Sequence, residues 1–328
     1  MKPAVGPLIF CSGKYCFIIF ICNIVFGALA VLLNATVLIA LIRVAKRRTW
    51  KVSNIILSAM AITDLCTGLI CQPIHGYFVF RQKNVYKEED LETWEAWLFL
   101  ALVYSSYTFC CASLFITTLM AIERLMAVMY SLKHRAVSTN FRAITSLIIA
   151  GAVSAIIPVF RFASPYTQVV FMALLVLVVL LSLATIIGSY TALFRSFKKQ
   201  RIAAQKLSST EKDRLRGIKQ ERRMAKTFAL VTVILGLMYL PQMMLKPISI
   251  AVKKQGDSMS DLLLILEDSF NTFLYANAAV NPFIYFVRHE EVRNEIGSAL
   301  SLRCFRRPRA DTTKSTTQNA RETSSSRL

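Results

Sequence analysis

Histidine is nearly missing from this 328-residue chain, with His75, His134 and His289 the whole supply. They stand in three separate segments, so no histidine-rich metal constellation can be assembled from them. No Gly-rich phosphate loop and no nucleophile elbow occurs, which leaves catalysis without a recognisable apparatus. Charge is scarce too: 18% of residues are Asp, Glu, Lys or Arg, against 55% hydrophobic. That balance is far from a soluble protein of this length and points to an integral membrane protein. No internal repeat is visible, and low complexity is confined to the last eighteen residues.

What is present is a series of apolar runs at 17–43, 53–76, 97–128, 143–162, 166–194, 225–250 and 262–286. Each is near or above the roughly 20 residues that cross about 30 Å of hydrocarbon as a helix. The expected fold is therefore all-α and membrane-embedded, a seven-helix bundle, with a short amphipathic helix at 288–300. The expected organisation is an N-terminal segment 1–16, a bundle 17–300 and a disordered tail 301–328. The first run is too long for a signal-peptide core and is expected to be the first span.

The connections alternate in charge. Segments 43–53, 131–142, 195–226 and 287–328 hold 29 Lys and Arg, whereas the opposite side holds nine. Cytoplasmic loops collect such residues, so the N-terminus is expected outside and the C-terminus inside. A basic inner face beside anionic lipid accounts for the net charge of +20 without invoking nucleic acid. Outer connections are short except 77–96, where Glu88, Glu89, Asp90, Glu92 and Glu95 make an acidic patch. The link between spans four and five, around Arg161 to Pro165, is only a few residues.

Of eight cysteines, Cys22, Cys66, Cys71, Cys110 and Cys111 fall within spans and read as small packing residues. Cys11 and Cys16 could close a small disulfide ring in an oxidising exterior. Cys304, among Arg303, Arg306, Arg307 and Arg309, is a candidate for palmitoylation. The tail carries nine Ser and Thr between Thr312 and Ser326, targets for phosphorylation.

Polar residues inside spans cost a few kcal/mol unless they face protein or water. Asp64 is the sharpest, mid-span in Leu57 to Leu65; Asn34, Ser113, Asn277 and Asn281 lie at comparable depths. Together they suit a hydrated, sodium-sized site, because hard cations prefer oxygen ligands. The alternative is a set of interhelical hydrogen bonds. The sequon Asn34-Ala35-Thr36 lies mid-span, so no N-glycan is expected.

Glu123-Arg124-Leu125 ends the third span, and Glu221 opens the sixth. An Arg124–Glu221 pair would hold these helix ends together, and breaking it would let them part, as a switch requires. Pro241 and Pro282 should kink spans six and seven. Tyr239 lies one turn below the bend, and Tyr190 and Tyr285 stand where they could bridge when span six moves. Neither proline has a counterpart in the first half of the chain on this reading, which argues against the paired broken helices of a transporter.

With these motifs in order, the chain resembles a class A, rhodopsin-like G-protein-coupled receptor across residues 17–300. Asn34 resembles the family's span-one asparagine, Leu57 to Asp64 its span-two LxxxD pattern, and Glu123-Arg124-Leu125 its D/E-R-Y motif. Tyr190, Pro241 and Asn281-Pro282-Phe283-Ile284-Tyr285 complete the set. The resemblance implies no enzymatic activity and no cofactor beyond a sodium ion at Asp64. It also implies an extracellular ligand, a heterotrimeric G protein meeting Arg124, Leu132, Tyr190 and Lys226, and kinase and arrestin at the tail. Departures are equally informative. Phe99 stands near the usual span-three cysteine, the span-four Trp is absent, Ser182 stands near the usual span-five Pro, and Tyr239 replaces the usual Trp. The missing bridge, a very short second loop and the lack of a span-five proline are together similar to the melanocortin, lysophospholipid, cannabinoid and adenosine receptor branch. Ser106 stands where aminergic receptors carry Asp, and Tyr275 where opsins carry Lys, so neither a monoamine nor retinal is expected. Lys246 suits an anionic headgroup, whereas Glu267 and Asp268 suit a basic peptide; a lipid or peptide ligand follows. The alternative is a transporter or channel along Asp64, Ser113, Asn277 and Asn281.

Overall fold

The computed structural model describes residues 13–47, 50–82, 92–129, 139–204, 239, 245, 259–288 and 290–299. Among them every regular element is helical: α1 Gly13–Arg47, α2 Val52–Cys66, α3 Gln72–Gln82, α4 Thr93–Met129, α5 Asn140–Ile156, α6 Phe160–Ala163, α7 Pro165–Ala204, α8 Met259–Arg288 and α9 Glu290–Ala299. In hydrocarbon each backbone N–H and C=O must be satisfied within its own segment, which makes long apolar runs helical. Among the described residues, five stretches are long and apolar enough to cross a membrane: Lys14–Arg47, Val52–Arg81, Thr93–Met126, Asn140–Phe162 and Tyr166–Lys198. The helices outrun the apolar runs at both ends, because polar residues at a membrane surface continue a helix without penalty. Span six is described only at Tyr239 and Leu245.

Burial on α1 follows one stripe: Cys16, Ile19, Asn23, Ala30, Asn34, Val37, Leu41 and Val44 are enclosed. Steps of three and four residues place these on a single face. That face meets α2, α3 and α8, while Ile18, Val25, Leu32 and Ile39 point outward as a lipid-facing surface. A side-chain carbon added to Gly68 would lie 2.9 Å from Ala30 Cβ and 3.0 Å from the Gly27 carbonyl. Glycine is thus required for this close approach of spans one and two.

Span two is not one uniform helix. A π-helical turn, Thr67–Cys71, separates α2 from α3, immediately before Gln72 and Pro73. Proline has no N–H and its ring clashes with the carbonyl four residues back, and a wider turn relieves the clash. Span four is similarly interrupted by a 3₁₀ turn, Ile157–Val159, holding Pro158. These breaks correct the expectation that Pro241 and Pro282 lack counterparts in the first half: Pro73 and Pro158 distort helices there.

Ser164 alone separates α6 from α7. Its backbone N–H donates to Thr167 Oγ1 at 2.8 Å, and the Thr167 N–H donates to Ser164 Oγ at 3.3 Å. This is a reciprocal cap, with Pro165 at the first helical position. At the end of the bundle that carries Arg124, Val37, Leu41, Leu57, Met60, Ile116, Met120, Ile186 and Tyr190 form the largest core. Val292 and Ile296 of α9 dock on it, and Arg47 pairs with Glu295.

Candidate functional site: a buried polar axis in the bundle

Asp64 is enclosed on α2. Asn281 of α8 donates to its Oδ2 at 2.9 Å, so residues 217 positions apart meet at the centre of the bundle. Of the other members of the expected cluster, Asn34 and Ser113 make contacts of their own. Asn34 Nδ2 donates to the carbonyls of Ala30 and Ala278, both at 2.8 Å, tying α1 to α8. Ser113 Oγ donates to Met60 Sδ at 3.8 Å. Asn277 Oδ1 is buried without a hydrogen-bond partner. The arrangement is an Asp64–Asn281 pair with Asn34 as a separate interhelical staple. Oxygen donors fit for a hard cation are present at Asp64 and Asn281.

Toward the end of the bundle that carries Glu95, a second polar pair crosses it. Tyr275 of α8 donates its hydroxyl proton to Ser106 Oγ of α4 at 2.8 Å, both residues buried. The His75 ring meets Tyr275 edge-on at 5.4 Å, and Cys71, Phe78, Ala96 and Leu102 pack around it. One level deeper, the Tyr239 hydroxyl donates to the Cys110 carbonyl at 3.4 Å, with Leu114 and Val179 beside it. Three candidate residues thus fall into two levels: Ser106 with Tyr275, and Tyr239 with the Cys110 carbonyl. The site offers neutral hydrogen bonding in an apolar setting.

A third feature escapes sequence reasoning. Glu95, expected on an exposed acidic loop, lies inside α4 and is 1% exposed. The helices extend to Gln82 and resume at Thr93, so both flanks of that loop are helical. Glu95 accepts from Arg81 Nε at 2.6 Å, from Arg81 Nη2 at 3.1 Å, from the Tyr77 hydroxyl at 2.5 Å and from the Glu92 backbone N–H at 3.1 Å. The last bond is a capping arrangement, a side chain at the third helical position reaching back to the helix start. The rest clamp α3 to α4 near Phe99, where the resemblance leads one to look for a cysteine. The legible signal was the Glu92-x-x-Glu95 spacing.

At the opposite end, Glu123 and Arg124 lie 3.5 Å apart on α4. Tyr190 is buried in the adjoining core, and Pro282 lies buried within α8. Tyr285 belongs to α8, and Glu267 is half-buried on it. Cys16 is disulfide-bonded. Cys11, Leu132, Glu221, Lys226, Pro241, Lys246 and Cys304 lie outside the described residues, so the Arg124–Glu221 latch and the Lys246 reading remain expectations from sequence.

Comparison with known proteins gives one family. The model of the 7 transmembrane receptor (rhodopsin family) matches residues 33–285, which takes in Asn34, Asp64, Arg124, Pro241 and Asn281 to Tyr285. A search of curated proteins found no match. The transporter alternative loses its ground, since the family is one of receptors and neither enzymes nor carriers. The chain, a multi-pass membrane protein, belongs to the rhodopsin family of seven-transmembrane receptors.

Proposed function

We propose that this receptor works in the plasma membrane with its N-terminus outside and its C-terminus in the cytoplasm, responding to an extracellular ligand and activating a heterotrimeric G protein. The observation that carries this reading is the family match across 33–285 together with the Glu123-Arg124 and Asn281 to Tyr285 motifs inside it. The asymmetry of 29 against nine basic residues supports the orientation. The ligand is a lipid or a peptide, and its buried portion is uncharged: Ser106 and Tyr275 satisfy each other where a monoamine or retinal would need a fixed charge or an amine. By linkage, such a ligand shifts the bundle only by its difference in affinity between two packings. The active packing swings span six away about Pro241 and opens a cavity ringed by Arg124, Leu132, Tyr190 and Lys226. A sodium ion at Asp64 stabilises the inactive packing. Lipidation at Cys304 and phosphorylation of the Ser/Thr-rich tail, with kinase and arrestin as readers, regulate the output.

The test is a screen of cells expressing the chain against lipid, peptide and nucleoside libraries with a panel of G-protein dissociation sensors. A lipid or peptide hit lost in Arg124→Ala at equal surface expression supports the reading. Accelerated GTP loading on no Gα subunit, coupled with solute flux in vesicles, overturns it.

A further inference from the structure

Asn23 on α1 and Gln72 at the start of α3 are both 0% exposed. The Asn23 side-chain N–H₂ donates to the Ile19 carbonyl at 2.8 Å and to Thr272 Oγ1 of α8 at 2.9 Å, and Thr272 Oγ1 donates to the Asp268 carbonyl at 2.8 Å. The Asn23 Oδ1 has no partner, and neither Oε1 nor Nε2 of Gln72 has one. Three polar atoms are therefore enclosed between spans one, two and seven with their hydrogen bonding unfilled. Each such atom bears the full cost of leaving water if nothing meets it.

Glycines show how the two amides lie. A side-chain carbon on Gly27 would come within 3.2 Å of Gln72 Oε1, and one on Gly76 within 3.3 Å of Asn23 Cβ. Gln72 therefore rests on Gly27, one turn from Asn23 along α1, and Asn23 rests on Gly76, one turn from Gln72 along α3. Both amides share one interhelical groove, separated by roughly one helical pitch of about 5.4 Å. A side chain at either glycine would fill that groove.

The donor set defines what fits. Asn23 Oδ1 needs a donor; Gln72 Nε2 needs an acceptor; Gln72 Oε1 needs a second donor. A metal cation would face the Gln72 N–H₂, and an anion would face two carbonyl oxygens. A neutral O–H group is both donor and acceptor: one water, with two O–H bonds, meets all three needs, and an alcohol hydroxyl meets Gln72 Nε2 and one of the two carbonyl oxygens. We infer that the Asn23–Gln72 groove is a binding site for a neutral hydroxyl, supplied by one or two ordered internal waters or by the hydroxyl of a bound amphiphile. Buried waters typically make about three hydrogen bonds to otherwise unmet groups. The site joins the same three spans as Asn34 and Asp64, some 11 residues away along α1, but is separate from that pair. It does not depend on the receptor's ligand or transducer.

The experiment is a high-resolution map of the full chain purified without added ligand, with organic extraction and mass spectrometry of the same sample. Compact density within about 2.7–3.2 Å of Asn23 Oδ1 and Gln72 Nε2 is expected for water. Elongated density with a co-extracted hydroxylated lipid keeps the site and assigns the amphiphile as its source. The second measurement is Gln72→Met, of similar volume and without polar atoms. It should lower the thermal midpoint by about 3 °C, because it removes bonds to the bound hydroxyl. A groove without density, or a midpoint that is unchanged or rises in Gln72→Met because an unmet polar group has been removed, overturns the inference. If the variant does not accumulate, the map of the unsubstituted protein decides.

Discussion

Among the described residues two carboxylates are enclosed, and they are treated oppositely. Glu95 receives four hydrogen bonds, two of them from one guanidinium in fork geometry. Asp64, equally hidden from solvent, receives one from a neutral amide, Asn281. A charge taken out of water must be matched by charge or by several donors, or it carries a penalty of several kcal/mol. Glu95 is matched within the protein, so its task is to hold α3 against α4. Asp64 is not, so it is suited to respond to something from outside the fold, a cation or a proton.

The sharpest way to break this comparison is Glu95→Ala. It strands Arg81 and frees Tyr77, and is expected to destabilise the receptor by about 3 kcal/mol, at the low end for a broken buried pair because Arg81 is one-third exposed. Thermal unfolding in detergent measures it. The Arg81→Ala, Glu95→Ala double variant should lose less than the sum of the singles, and strict additivity would show that the pair does not act as a clamp. Next in size is Asp64→Asn. This change should abolish the dependence of thermal midpoint on sodium chloride over choline chloride while barely altering the midpoint in choline. A sodium response that persists removes the cation from the account. Tyr275→Phe deletes the bond to Ser106 and should cost about 1 kcal/mol, with Ser106→Ala giving no additional loss in that background. Smallest is the effect of dithiothreitol on the α3–α4 contact. That contact is ionic and should survive reduction, as read by unchanged cross-linking of cysteines placed at Gln82 and Thr93 by a bifunctional maleimide added once the dithiothreitol has been removed.

Much of the scaffold could be read from the chain before any coordinates, since hydrocarbon imposes one simple rule on backbone and composition. Asp64, Asn34, Ser113, Asn277 and Asn281 were legible as polar residues at matching depth, because such side chains have few other reasons to exist there. Which of them touch was not legible, since depth comes from counting residues, whereas rotation about the helix axis depends on packing. The π turn before Pro73 contributes to that gap by re-aiming everything after Cys71, including His75 and Tyr77. Glu95 was misread because an acidic cluster beside a loop looks solvated, and nothing local to the sequence announces that Arg81 waits opposite. Gln72 and Asn23 went unremarked for the same reason, their meaning depending on two glycines, Gly27 and Gly76, brought together from two spans.

The single-residue link at Ser164 has a mechanical result. Helices α6 and α7 are pinned at that point, so α7 can tilt but cannot slide away there. A rod of 40 residues is about 60 Å long. A tilt of roughly 5° about the pin therefore carries its far end through about 5 Å, a lever whose fulcrum is one serine.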